Sequence, residues 1–123
     1  MKLLFTLALT LLMSTQETQF KYVGNWEGSL NIEAQNVQLP LVFKIREKEG
    51  KLNATMDSPD QSEYGKAFDE AVYTDGKLTL KMTAANGVVF EGKLEEGKIV
   101  GKWSQNGMVF DLSLTKIVRK GKS

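Results

Sequence analysis

The chain has 123 residues, 16 Lys and Arg against 15 Asp and Glu, and neither His nor Cys. That length suits one modest domain, and a charge so near zero argues against a general nucleic-acid or anionic-membrane binder. The missing residue types exclude a Ser-His-Asp triad, a Cys nucleophile and a His-ligated zinc, leaving carboxylates, Lys, Tyr and Ser for any catalysis.

The chain opens MKLLFTLALTLLMSTQETQ. Lys2 supplies a positive n-region, and Leu3 to Met13 is apolar apart from Thr6 and Thr10. The run is shorter than the roughly 18 residues of a membrane span. It reads as a signal-peptide helix over residues 1–19, cleaved between Ser14 and Gln19, with a buried N-terminal helix as the alternative. With no Cys after the run, a lipid-anchored lipoprotein is excluded. The expected location is therefore secreted or periplasmic, with no membrane span after cleavage. A Cys-free exported chain gains no disulfide, so burial alone must stabilise it, and this fits a bacterial envelope. Asn53-Ala-Thr55 matches a glycosylation sequon, which in a bacterial protein is a chance match.

Beyond the leader the apolar residues alternate. Leu39, Leu41, Phe43 and Ile45 share one face against Lys44 and Arg46; Leu78, Leu80 and Met82 oppose Thr79, Lys81 and Thr83. Period two with one buried face predicts strands. Eight are expected, over Tyr22–Ile32, Gln38–Arg46, Leu52–Asp57, Ala67–Thr74, Lys77–Thr83, Val88–Leu94, Lys98–Ser104 and Val109–Ile117. Turn signals separate them, at Glu47 to Gly50, Thr74 to Gly76, Ala85 to Gly87, Glu95 to Gly97 and Gln105 to Gly107, and the pairs Asp75-Gly76, Asn86-Gly87 and Asn106-Gly107 suit type I′ hairpins. Phe68 and Tyr73 fall on opposite faces of a regular fourth strand, and a bulge near Asp69 or Glu70 reconciles them.

Eight strands with short links and one apolar face predict an all-β fold, an antiparallel up-and-down eight-stranded barrel over residues 20–117. A two-sheet β-sandwich meander is the alternative. Residues 118–123 complete a basic tail, read as a solvated end.

The stretch ATMDSPDQSEYG, Ala54 to Gly65, joins strands three and four with no apolar pattern across Ser58 to Lys66. Ser-Pro-Asp favours a turn, because Pro fixes φ and Asp bonds its own backbone. Asp57, Ser58, Asp60, Gln61 and Tyr64 are the candidate binding rim. Asp57 and Asp60 supply two acids, but acid–base work needs a cleft and one raised pKa, neither legible here. Asp57, Asp60, Gln61 and Glu63 supply oxygens without the calcium-loop pattern. No catalytic residue, metal or cofactor is therefore assigned, and both aspartates are expected to fix turns.

Trp26 and Trp103 sit among glycines, in Trp26-Glu-Gly28 and Gly101-Lys-Trp103. Each is a candidate barrel plug or a ligand-stacking residue. The expected inward set is mostly large, which favours a filled core. Gly28, Ala54, Gly92 and Gly101 on inward faces leave room for a pocket near one end. No inward Arg or Lys is evident.

Six strings, GNWEGSL, LPLVFKI, GKLNATMDSPDQ, YTDGKLTL, FEGKL and IVGKWSQNG, occur in this order between Gly24 and Gly107. Together they resemble the small lipocalin-like β-barrel domain that stands N-terminal to secreted α/β-hydrolases and serine-β-lactamase-like hydrolases of Bacteroidetes-type bacteria. The string Ala-Thr-x-Asp-Ser-Pro-Asp-Gln carries the resemblance most specifically. Gly65-Lys-Ala-Phe68 departs from the Gly-Ile-Pro-Val-like continuation of that family. The resemblance implies a stand-alone accessory barrel, any hydrolase activity belonging to a separate domain. The expected function is a secreted, non-catalytic binding or accessory module of the envelope, its partner an envelope protein, a hydrolase or a glycan. The alternative is a lipocalin-like carrier of a small apolar ligand, which needs a cavity on the order of a few hundred Å³. A hydrolase using the two acids is the minor alternative.

Overall fold

The computed structural model describes residues 19–118. The leader expected over residues 1–19 lies outside the described residues except for Gln19, as does the basic tail beyond Val118. Among the described residues nine strands form one antiparallel sheet. They are β1 (Gly24–Ile32), β2 (Val37–Lys48), β3 (Lys51–Ser58), β4 (Glu63–Ala67), β5 (Glu70–Thr74), β6 (Lys77–Met82), β7 (Val88–Glu95), β8 (Lys98–Gln105) and β9 (Met108–Lys116). Their order in the sheet is β4-β3-β2-β1-β9-β8-β7-β6-β5, so β1 and β9 join the two halves. No helix of the described residues is long and apolar enough to cross a membrane.

The alternation read from the sequence produces the core. Leu41, Phe43 and Ile45 of β2, Leu78 and Leu80 of β6, and Leu112 and Leu114 of β9 are all buried. Phe43 sits at the centre, its ring 5.4 Å from Phe90, 5.5 Å from Phe68 and 6.3 Å from Trp103. Gly101 tightens the curl of the sheet. A Cβ there would overlap the Glu91 carbonyl and approach the Gly92 Cα to 2.8 Å, so only glycine lets β8 press this closely on β7.

Four of the expected hairpin turns form with positive φ at both residues, at Glu49-Gly50, Asp75-Gly76, Glu96-Gly97 and Asn106-Gly107. The fifth differs. Residues Ala84–Gly87 make a single helical turn, α1, instead of an Asn-Gly hairpin.

The strand count is nine rather than eight, because the expected loop from Ser58 to Lys66 contains β4. Every residue of β4 is exposed, so this edge strand carries no apolar alternation to read. The expected strand Ala67–Thr74 is divided: Ala67 ends β4, Phe68 and Asp69 form a link, and β5 begins at Glu70. The bulge expected near Asp69 or Glu70 lies instead between β3 and β4.

The edge strands β4 and β5 do not pair with each other, so the barrel closes incompletely. The link stitches the seam. Phe68 N–H donates to the Ala54 carbonyl of β3 (3.0 Å), and Asp69 N–H donates to the Lys81 carbonyl of β6 (2.7 Å). The Asp69 carboxylate accepts from the Thr83 N–H (2.6 Å) and the Thr83 hydroxyl (2.5 Å). These bonds, the hydroxyl's first, hold the Asp69 carboxyl below its ordinary pKa.

Candidate functional site

The DSPDQ motif builds a mouth at one end of the barrel. Met56 faces Lys66 and Ser58 faces Glu63, so Asp57 alone opposes the two residues Tyr64 and Gly65. Gly65 takes φ +66°, the left-handed conformation that such a bulge requires. Its N–H donates to Asp57 Oδ1 at 2.7 Å. Lys44 Nζ stands 3.2 Å from Asp57 Oδ2, and the Asp57 side chain is only 13% exposed. The bond from Gly65 is the main reason the Asp57 carboxyl is held below its usual range; Lys44 adds to it and partial burial opposes it.

The next residues lock the turn. Ser58, fully buried, donates from Oγ to Gln61 Oε1 at 2.8 Å, and Ser62 N–H donates to the Pro59 carbonyl at 2.9 Å. The five expected rim residues therefore separate. Asp57 and Ser58 are engaged inside the fold, Gln61 borders the chamber described below, and Asp60 and Tyr64 point to solvent, Tyr64 at 64% exposure. Among the described residues no three His, Cys, Asp or Glu side chains converge to hold a metal ion.

The bulge has a further effect. One extra residue on β4 places Glu63 and Lys66 on the same side of the strand, facing the barrel interior. Both border a chamber of about 100 Å³. Its walls include Leu30, Leu41, Met56, Met82, Val88 and Trp103, and Gln61, Glu63, Lys66 and Gln105 form a polar rim. Outside the rim an open cleft of about 340 Å³ continues along Glu63, Lys66, Ala67, Met82 and Ala84. Lys66 overturns the expectation that no cation reaches the inner face. Reading Glu63-Tyr-Gly-Lys-Ala67 as a strand with a glycine bulge would have revealed it.

The chamber falls short of the few hundred Å³ expected of a carrier, because large side chains fill most of the interior. Ligand pockets commonly run from roughly 300 Å³ upward, and an apolar cavity of about 150 Å³ admits one benzene. In proportion, this chamber takes a group of about four carbons.

The two tryptophans sit at opposite ends. Trp103 forms part of the chamber wall, its indole N–H donating to Gln105 Oε1 at 3.1 Å. Trp26 plugs the far end at 1% exposure, its N–H donating to the Tyr22 carbonyl at 2.9 Å and Lys116 Nζ lying 5.6 Å from its ring centroid. Tyr22 precedes β1 rather than belonging to it. Its phenol oxygen accepts from the Leu94 N–H at 3.0 Å, and burial pushes its pKa up. A larger groove of about 520 Å³ lies on the outer face of the sheet. It is open and edged by a charge ladder, with Lys77–Glu91 at 3.7 Å and Lys102–Asp111 at 2.6 Å.

No family model matches this chain, and no curated protein matches it. Solved structures do. An asparagine-to-alanine mutant of the fluorescent protein UnaG superposes with a TM-score of 0.58 at 14% identity, covering 80% of this chain and 98% of that one. An asparagine-to-glutamine mutant of the same protein gives 0.57 at 12% identity, covering 81% and 99%. The fold is that of a small lipocalin-like β-barrel. Likeness at this identity speaks for the fold alone, and none of these comparisons links the chain to secreted hydrolases.

Proposed function

We propose that the protein is a non-catalytic barrel that binds a small, largely apolar molecule at the end opposite Trp26. The observation that carries this reading is the chamber, with its apolar walls and its polar rim beside β4. The lipocalin-like fold supports it, since such barrels enclose either a packed interior or one small ligand. It is favoured over an accessory docking role because Asp57 and Ser58, the core of the expected docking rim, are engaged within the fold. The apolar leader read from residues 1–19 adds export to the proposal, placing the barrel outside the cytoplasm.

A nuclear magnetic resonance titration with isoamyl alcohol, a neutral probe of the chamber's size, tests it. Shifts are expected at the Met56 and Met82 methyls and the Trp103 indole N–H, with Trp26 unmoved. Leu39 also borders the chamber, so Leu39→Phe, which places a ring there, should weaken the response. Shifts absent from all of these, or equal at both tryptophans, would overturn the reading.

A further inference from the structure

The geometry points to the ligand class: a free α-amino acid with an aliphatic side chain of about four carbons, its carboxylate at Lys66 and its ammonium at Glu63. This rests on the chamber being a ligand site.

The chamber's volume of about 100 Å³ sets the apolar part. The charges at the mouth set the rest. Glu63 and Lys66 face Ser58 and Met56, two positions apart on β3. At a rise of about 3.3 Å per residue they stand about 6.6 Å apart along the rim. Opposite in charge and this close, they nevertheless form no ion pair with each other. The ion pairs among the described residues are Lys44–Asp57, Lys77–Glu91, Lys81–Glu70 and Lys102–Asp111. The rim amides do not compete for this role: Gln61 Oε1 already accepts from Ser58, and Gln105 Oε1 from the Trp103 indole.

A zwitterionic amino acid fits this arrangement. Its side chain, carboxylate and ammonium diverge from one carbon, so the apolar branch enters the chamber while both charges stay in the outer cleft. A simple carboxylate would satisfy Lys66 and meet repulsion from Glu63. A simple amine would do the reverse. Neither Glu63 nor Lys66 is removed from water, so each pair is worth only about 1 kcal/mol, or about fivefold in affinity.

The test is a deletion series on one carbon skeleton, followed at the Trp103 indole and the Met56 and Met82 methyls. The probes are leucine, isocaproate (ammonium removed), isoamylamine (carboxylate removed) and isoamyl alcohol (uncharged). Leucine should bind tightest, with isocaproate and isoamylamine each about fivefold weaker. Glu63→Gln should erase the advantage over isocaproate, and Lys66→Met the advantage over isoamylamine. Both variants replace exposed side chains and should keep the parent's urea midpoint, which verifies that they fold. Isoamyl alcohol binding as tightly as leucine would overturn the inference and leave the chamber standing. Silence with all four probes would overturn both.

Discussion

Replacing Asp57 by alanine tests whether the motif is a structural device. The carboxylate accepts one charge-assisted bond, from Gly65 N–H at 2.7 Å, and faces Lys44 at 3.2 Å. A hydrogen bond to a charged group contributes about 1.5–3 kcal/mol. Gly65 is exposed, so its freed N–H recovers part of that from water, which favours the low end. Lys44 is 43% exposed, and a pair of that kind adds at most about 1 kcal/mol. Asp57→Ala should therefore cost about 2 kcal/mol, about 10 °C in Tm for a domain of this size. Asp57→Asn keeps an oxygen for Gly65 and should cost about half as much. Urea unfolding followed by tryptophan fluorescence gives both values, and the amide spectrum shows whether the Glu63–Lys66 bulge persists. An alanine variant within about 0.5 kcal/mol of the parent, or an asparagine variant as damaged as the alanine one, would refute the reasoning.

Other consequences follow from the same contacts. Gly101→Ala drives a methyl into the Glu91 carbonyl and should cost about 2 kcal/mol by overpacking, measured by urea unfolding. Gly97→Ala, with open space around it but φ +81°, should cost only the about 1 kcal/mol of left-handed strain. Tyr22→Phe deprives the Leu94 N–H of its acceptor and should cost about 1–2 kcal/mol, seen as faster amide exchange at Leu94. Asp57 and Asp69 both have lowered folded-state pKa values, so their stabilisation is complete above the unfolded value near 3.9 and lost as pH falls through the folded values. The urea midpoint should hold steady from about pH 7 to 5 and fall below about pH 4. With no His in the chain, a decline beginning near pH 6 would contradict this assignment.

Most of the fold was legible because the strands around the core alternate. Leu39 to Ile45, Leu78 to Met82 and Phe110 to Leu114 each announce one wet and one buried face, and the barrel follows from the repetition of such segments. The misreadings fall where that signal is absent. β4 is exposed at every position and held to β3 by backbone bonds and the Asp57 carboxylate, so nothing in its side-chain pattern marks it as a strand. Missing β4 hid the bulge, and with it the inward turn of Glu63 and Lys66. The Asn86-Gly87 signal failed because the chain there closes through a helical turn instead of a two-residue hairpin. Trp26 and Trp103 look alike in sequence, each two residues from a glycine. Only the three-dimensional ends of the barrel separate the plug from the chamber wall.

The most direct test of the binding reading is a crystal structure determined under xenon pressure. Xenon seeks dry apolar space of this kind. One strong site should appear between Leu30, Leu41, Met82 and Val88, and it should weaken in Leu39→Phe. A chamber without xenon, or xenon confined to the outer face, would contradict the claim that the barrel keeps this end open for a ligand.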